Sequence, residues 1–146
     1  MSNESPVPFS TTIYVRDHCL CLHVQRAARS LARLFDDALR PVALTNNQFS
    51  LMMALNRPSP VPMKPVAELL AMDQTTLTAA LKVLQKRGLV IVEANPEDRR
   101  SRLLSLTVAG QELLAAAVPI WTETHAVLDR KLNDLSRLRQ DLLAIS

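Results

Sequence analysis

Residues 73–110 read DQTTLTAALKVLQKRGLVIVEANPEDRRSRLLSLTVAG. Asp73 suits a helix N-cap, because its carboxylate can accept from the free N–H groups of the first turn. Leu77, Leu81 and Leu84 recur at helical spacing and give that helix one apolar stripe. Thr75, Thr78, Lys82 and Lys86 fall on its other faces, where a partner would meet them. Gly88 stands where the helix must stop, at a position that favours a left-handed residue. Leu89-Val90-Ile91-Val92 and Leu103-Leu104-Ser105-Leu106 are short β-type runs. Asn95-Pro96-Glu97-Asp98 between them has the chemistry of a turn.

A helix followed by a basic two-stranded ribbon outlines a winged helix-turn-helix. Working back from Asp73, Ala71-Met72 makes a tight turn. Before it lies a helix, PVAELLAM, with Pro65 in its first turn, where the missing N–H has no partner to lose. Two short helices joined so closely form the helix-turn-helix unit. RPSPVPM (57–63) can hold only a loop with a short edge strand. Thr45-Asn46-Asn47-Gln48 is a capping box opening another helix, FSLMMALN, whose apolar residues lie nearly all round and predict burial. Further back, Asp17 is expected to cap a helix to about Leu39, with Leu20, Val24, Ala28, Leu31, Phe35 and Ala38 in period; Arg40-Pro41 ends it. Residues 1–16 read as an arm.

After Leu106, Thr107 caps a long helix carrying Leu113, Leu114, Val118, Trp121 and Leu128. Pro119 within it predicts a kink or a break. Asn133 is the expected cap of a last helix with Leu135, Leu138, Leu142 and Ile145 on one face. The fold class is therefore mainly α with a small β wing: one domain over 1–146, with 17–40 and 107–146 as dimerisation helices around a winged lobe at 45–106. Long amphipathic helices at both ends imply a homodimer. Two recognition helices about one duplex turn apart suit a pseudo-palindromic site on double-stranded DNA.

The chain has 146 residues, enough for one domain with its own core, and 21% charged residues against 48% hydrophobic, as in ordinary folded proteins. Its net charge of +3 does not by itself imply nucleic acid, but Lys82, Lys86, Arg87, Arg99, Arg100 and Arg102 crowd one interval. No apolar run approaches ~18 residues and no signal-peptide core opens the chain, so neither a membrane partner nor export is expected. The two cysteines, Cys19 and Cys21, fit a reduced, cytoplasmic setting.

LTNNQFSLM, VAELLAMDQTTLTAALKVLQKRGLV and DRRSRLLSLTVAG together resemble the MarR (multiple antibiotic resistance regulator) family of dimeric winged-helix transcriptional regulators, over about residues 17–145. The wing pattern is carried by Asp98, Arg100, Leu106, Thr107 and Gly110. The resemblance implies that 73–87 enters the major groove and that the wing lies along the minor groove. Gln74, Thr75, Thr76 and Thr78 would reach base edges or phosphates, while Lys82 and Lys86 neutralise phosphates. Arg100 would point toward the minor groove, flanked by Arg99 and Arg102. Asp98 would either position an arginine or form a salt bridge with Arg102. Gln74 and Ala79 depart from the arginine or asparagine common in the family, which weakens base reading and shifts affinity toward the wing and the lysines. The resemblance also implies repression relieved by a small aromatic or phenolic ligand, in a pocket with Leu31, Phe35, Met52, Leu55 and Trp121 as candidate walls. A plain core would show the same spacing. Arg26, Arg29 and Arg33 share a face that could hold a carboxylate, with Arg33 free to pair with Asp37.

Asp17-His18-Cys19-Leu20-Cys21-Leu22-His23 is the most unusual stretch outside the wing. On one helix, Cys19 with His23 and His18 with Cys21 form pairs that could each give two ligands to a soft metal, but they point in different directions. One helix cannot close a tetrahedral site with all four, so no metal is assigned and metal binding stays the least favoured reading. Small buried hydrophobes and a thiol-based redox sensor, as in the peroxide-responsive branch of the family, are the remaining readings. No cofactor is expected. A Cys/His enzyme lacks any catalytic set or phosphate loop at usable spacing. A winged helix used only for protein contacts is the third class.

Overall fold

A computed structural model describes residues 5–146. The chain divides into two units, Met1–Leu34 and Phe35–Ser146. In the first, α1 spans Phe9–His18 and α2 begins at Leu20, running to Leu39. Residues 1–16 are therefore not an arm throughout: Pro8 opens a helix by accepting from Thr11 and Thr12 N–H groups at 3.0 and 3.4 Å. The expectation for Met1–Ser2–Asn3–Glu4 lies outside the described residues. Nor does Asp17 cap a helix; it sits inside α1, its carboxylate bonded to the Arg16 guanidinium at 2.8 Å. Cys19 does the capping instead. Its backbone is extended (φ −69°, ψ 108°), its N–H closes α1 on Val15 O, and its sulfur accepts from Leu22 N–H at 3.4 Å in the first turn of α2.

The second unit is built around α3, Asn46–Leu55. Its capping box forms as its sequence dictates: the Thr45 hydroxyl accepts from Gln48 N–H, and the Gln48 side chain accepts from Thr45 N–H. Phe49, Leu51, Met52, Ala54 and Leu55 are all buried, so this helix is the centre of the core. A 3-10 turn at Arg40–Val42 links α2 to it, and Asp37 pairs with Arg40 while Arg33 donates to Ser30.

Helix α4 (Met63–Leu70) starts two residues before Pro65, which still falls in its first turn. Ala71 ends it in the left-handed region, φ 51°. Helix α5 (Gln74–Lys86) follows, its Leu77, Leu81 and Leu84 stripe buried against the core. Gly88, φ 72°, turns the chain into β2 (Val90–Ala94). Strand β3 (Arg102–Leu106) returns antiparallel, pairing Val90 with Leu106 and Ala94 with Arg102. The short strand β1 (Val61–Pro62) joins the other edge of β3, giving the order β1-β3-β2.

Thr107 caps α6 (Val108–Asp129), accepting from Gly110 N–H at 3.0 Å. Leu114 and Ala117 carry α6 onto the core beside α3. Pro119 does not break it; beyond that residue the Thr122 and Thr124 hydroxyls bond back to the carbonyls of Val118 and Ile120. The last helix, α7 (Leu135–Ala144), is capped by Asp134 rather than Asn133, because it is the Asp134 carboxylate that reaches Arg137 N–H at 3.0 Å. None of the described helices is long and apolar enough to cross a membrane.

Candidate nucleic-acid interface

The N-terminus of α5 is fixed by Asp73. One carboxylate oxygen accepts from Thr76 N–H at 2.7 Å and the other from the Thr76 hydroxyl at 3.0 Å. These bonds, the backbone one first, hold the Asp73 carboxyl below its ordinary range. Thr76 is thereby committed to the cap, which removes its hydroxyl proton from any base contact. Thr78 likewise donates to Gln74 O at 2.7 Å, leaving only its lone pairs outward. Gln74, Thr75, Lys82 and Lys86 present exposed side chains.

Between α5 and the wing runs a groove of about 380 Å³ lined by Met63, Thr78, Leu81, Lys82, Gln85, Val92 and Arg102. It brings together two residues of α5 and one of the wing that the sequence singled out separately. Gln85, one turn beyond Lys82, also lines the groove, although the sequence did not single it out.

At the wing tip, Asn95 N–H bonds Ser101 O, Asp98 N–H bonds Asn95 O and Ser101 N–H bonds Asp98 O. The Asn95 side chain adds a bond from Glu97 N–H at 3.0 Å. Asp98 accepts from Arg100 N–H at 2.9 Å. It therefore holds Arg100 through the backbone, and the expected alternative, an ion pair with Arg102, does not form. The ion pairs of arginine with aspartate among the described residues are Arg16–Asp17 and Arg40–Asp37. Arg99, Arg100 and Arg102 stay exposed. Arg102 stands apart from the tip, on β3 facing the groove.

The other singled-out residues scatter. Met52 and Leu55 are buried in the core, 0% and 2% exposed. Phe35 and Trp121 do share one, about 250 Å³, with Leu39, Asn46, Phe49, Ser50 and His125. His125 stacks obliquely on Trp121 (ring centres 4.8 Å apart) and its Nδ1 lies 3.2 Å from Asp129. A neighbouring groove of about 490 Å³ runs from Phe49, Met53 and Trp121 to Leu69 and Val118, with Arg57 at its edge. Leu31 is an exposed residue of α2 in the first unit. Cys19 is half-buried and Cys21 exposed, its sulfur accepting from the Gln25 amide at 3.3 Å. The helical pairings drawn for His18 and Cys21 do not apply, since α1 ends between them. His18 and His23 each spend Nδ1 on a backbone carbonyl four residues back.

A helix-turn-helix backed by a three-stranded antiparallel wing, with cations on the outer face of the second helix and on the wing, is a winged helix-turn-helix of the transcription-regulator class. Residues 44–101 match the model of the MarR family. The chain is 36% identical to the M. tuberculosis transcriptional regulator MosR, whose crystal structure is a complex with DNA; the alignment covers 88% of this chain and 93% of that one, with a TM-score of 0.81. It is 34% identical over 99 residues to the transcriptional regulator HosA of Escherichia coli O157:H7, covering 68% and 71% of the two chains. It is 28% identical over 126 residues to the organic hydroperoxide resistance transcriptional regulator of Bacillus subtilis, covering 86% of each. The chain belongs to the MarR family, transcriptional regulators and not enzymes.

Proposed function

We propose that the protein is a homodimeric, cytoplasmic repressor that reads double-stranded DNA with α5 and the wing and is released by a small aromatic acid. The observation that carries this reading is the groove joining Thr78, Lys82 and Gln85 of α5 to Arg102 of β3, with Arg99 and Arg100 exposed at the adjoining wing tip. Uncapped cations flanking a polar helix face suit phosphates on either side of a major groove. The DNA-bound relative, MosR, supports it. Exposed apolar residues on α7, Leu138, Leu142 and Leu143, support a second copy as partner.

The test is a titration against duplexes from the protein's own upstream region across a salt series. Affinity should fall linearly on logarithmic axes, and Lys82→Ala and Arg100→Ala should each reduce the slope by roughly 0.9 per phosphate lost. Salt-independent binding, or indifference to both changes, returns the fold to a protein-contact module. The effector part predicts that 4-hydroxybenzoate quenches Trp121, the single tryptophan, saturably and weakens DNA binding in the same concentration range. Phe35 and Trp121 supply the aromatic walls for such a ligand, with Asn46, Ser50 and His125 as polar contacts.

A second reading is favoured by Cys19, whose sulfur occupies the cap of α2 two residues from an exposed Cys21. A hydroperoxide would transfer one oxygen to a thiol and leave as the alcohol. The sulfenic acid so formed at Cys19 carries a new oxygen where its sulfur now accepts from Leu22 N–H, loosening the cap of α2. The hydroperoxide-resistance relative supports it. Peroxide should weaken DNA binding in the wild type and leave Cys19→Ser unchanged; equal responses remove this reading.

A further inference from the structure

Among the described residues, side-chain hydrogen bonds reaching more than four positions along the chain gather at two places: the first turn of α3 and the end of α5. Asp36 Oδ1, near the end of α2, accepts from Asn46 N–H at 2.7 Å and from the Asn46 amide at 2.8 Å. Gln48, in the same turn, accepts from Thr45 N–H at 3.0 Å and, with the same oxygen, from the Arg87 guanidinium at 3.3 Å. Arg87 is the C-cap of α5. Just beyond it, the Thr107 hydroxyl donates to Gly88 O at 2.6 Å and Thr107 N–H donates to Leu89 O at 3.1 Å. The end of α5 is thus tied to the first turn of α3 by one side chain and to the start of α6 by another. Nothing comparable ties its N-terminal half, whose cap is local.

We propose that Arg87 is a positioning residue: through Gln48 it latches the end of the recognition helix to the capping box of α3, and it does not serve as a phosphate contact. This rests on the DNA-binding reading above. An arginine at the edge of a basic face would ordinarily be counted as electrostatic. The two roles leave different marks, because a lost phosphate contact lowers the salt dependence of binding, whereas a misplaced helix weakens binding at every salt concentration alike. A neutral residue such as Gln48 has no phosphate charge to lose, so weaker binding at an unchanged salt slope on loss of either side chain is the signature of a latch.

The experiment compares Arg87→Met, Gln48→Met, the double variant and Gln48→Glu in the full-length protein. Each Met variant should weaken specific duplex binding about three- to tenfold with the salt slope unchanged; Gln48→Met, which also loses the cap bond to Thr45 N–H, should be the weaker binder, and the double variant should be no worse than Gln48→Met. Gln48→Glu keeps both the capping box and an acceptor for Arg87, so it should restore affinity. Without DNA, amides of Val83–Gly88 should exchange about three- to tenfold faster in both single variants. A slope reduced by roughly 0.9 in Arg87→Met, with Gln48→Met silent, makes Arg87 a phosphate contact and overturns the proposal. Unchanged exchange in either single variant also overturns it. If the wild type binds no duplex, the DNA reading fails by itself, while exchange still decides whether the latch holds.

Discussion

The Asp98 carboxylate accepts a 2.9 Å hydrogen bond from the backbone N–H of Arg100, so an acid in the most cationic part of the chain shapes the wing without neutralising it. The bond is of the Asx type, in which a short side chain holds its own backbone two residues on. Asparagine can make the same bond and alanine cannot. Asp98→Asn should therefore keep duplex affinity near wild type, while Asp98→Ala loses roughly fivefold, about 1 kcal/mol, in a fluorescence-anisotropy titration. Loss of affinity in both would mean that the negative charge itself matters.

Glycine is required at two positions for unlike reasons, and denaturant titrations should separate them. A Cβ on Gly110 would lie 2.1 Å from the Leu89 carbonyl oxygen, which is backbone and cannot rotate away. Gly110→Ala should cost about 3 kcal/mol as α6 is pushed off the Leu89 backbone just before β2. A Cβ on Gly88 meets open space, but its φ of 72° is left-handed. Gly88→Ala should cost only about 1 kcal/mol.

Ala43 and Ala71 hold positive φ, 54° and 51°, with side chains that disfavour it. Replacing either by glycine relieves roughly 1–2 kcal/mol of backbone strain, against about 0.4–1 kcal/mol of extra unfolded-chain entropy. Ala43→Gly and Ala71→Gly should each stabilise the protein by up to about 1 kcal/mol in the same titrations.

Two carboxyls make the fold sensitive to acid. Asp36 is held below its ordinary value by the backbone N–H of Asn46 first and the Asn46 amide second, and Asp73 by the backbone N–H and then the hydroxyl of Thr76. A carboxyl depressed in the folded state contributes stability that is present above its unfolded value, about 3.9, and is lost as pH falls through the folded one. Unfolding free energy should therefore drop as pH falls below about 4. In the Asp36→Asn, Asp73→Asn double variant it should start lower at pH 7 and fall less. A parallel fall in both proteins would assign the acid sensitivity to other groups.

Features written in adjacent residues were legible before the fold was known. The caps at Thr45, Asp73 and Thr107, the leucine stripe of α5 and the Gly88 turn are set by residue types within a few positions of one another; β1 was legible only as a proline-bounded edge segment, and its pairing with Leu103 and Leu104 came from the fold. The break between α1 and α2 was not legible, because neither glycine nor proline marks Cys19 and its thiol does the capping that Asp17 was expected to do. Thr11, Thr12, Ile13 and Val15 disguised α1, since β-branched residues weaken the helical signal. Nor could spacing sort the candidate pocket walls: Phe35 and Trp121 line a cavity, whereas Met52 and Leu55, equally apolar, disappear into the core.

From residue 45 onward the chain by itself determined which segments become helix and wing, and which cations stand around residues 73–110, because periodicity, caps and turn chemistry act locally. Only the tertiary structure decided which of those groups remain available. Thr76 and Asp98 are taken locally, by the cap and by the Arg100 backbone, but Arg87 is taken by Gln48, 39 positions away, and the Thr107 hydroxyl by Gly88, 19 away. A hydrogen-bonding group has few partners to give, and how it is used depends on what the fold brings within hydrogen-bonding distance.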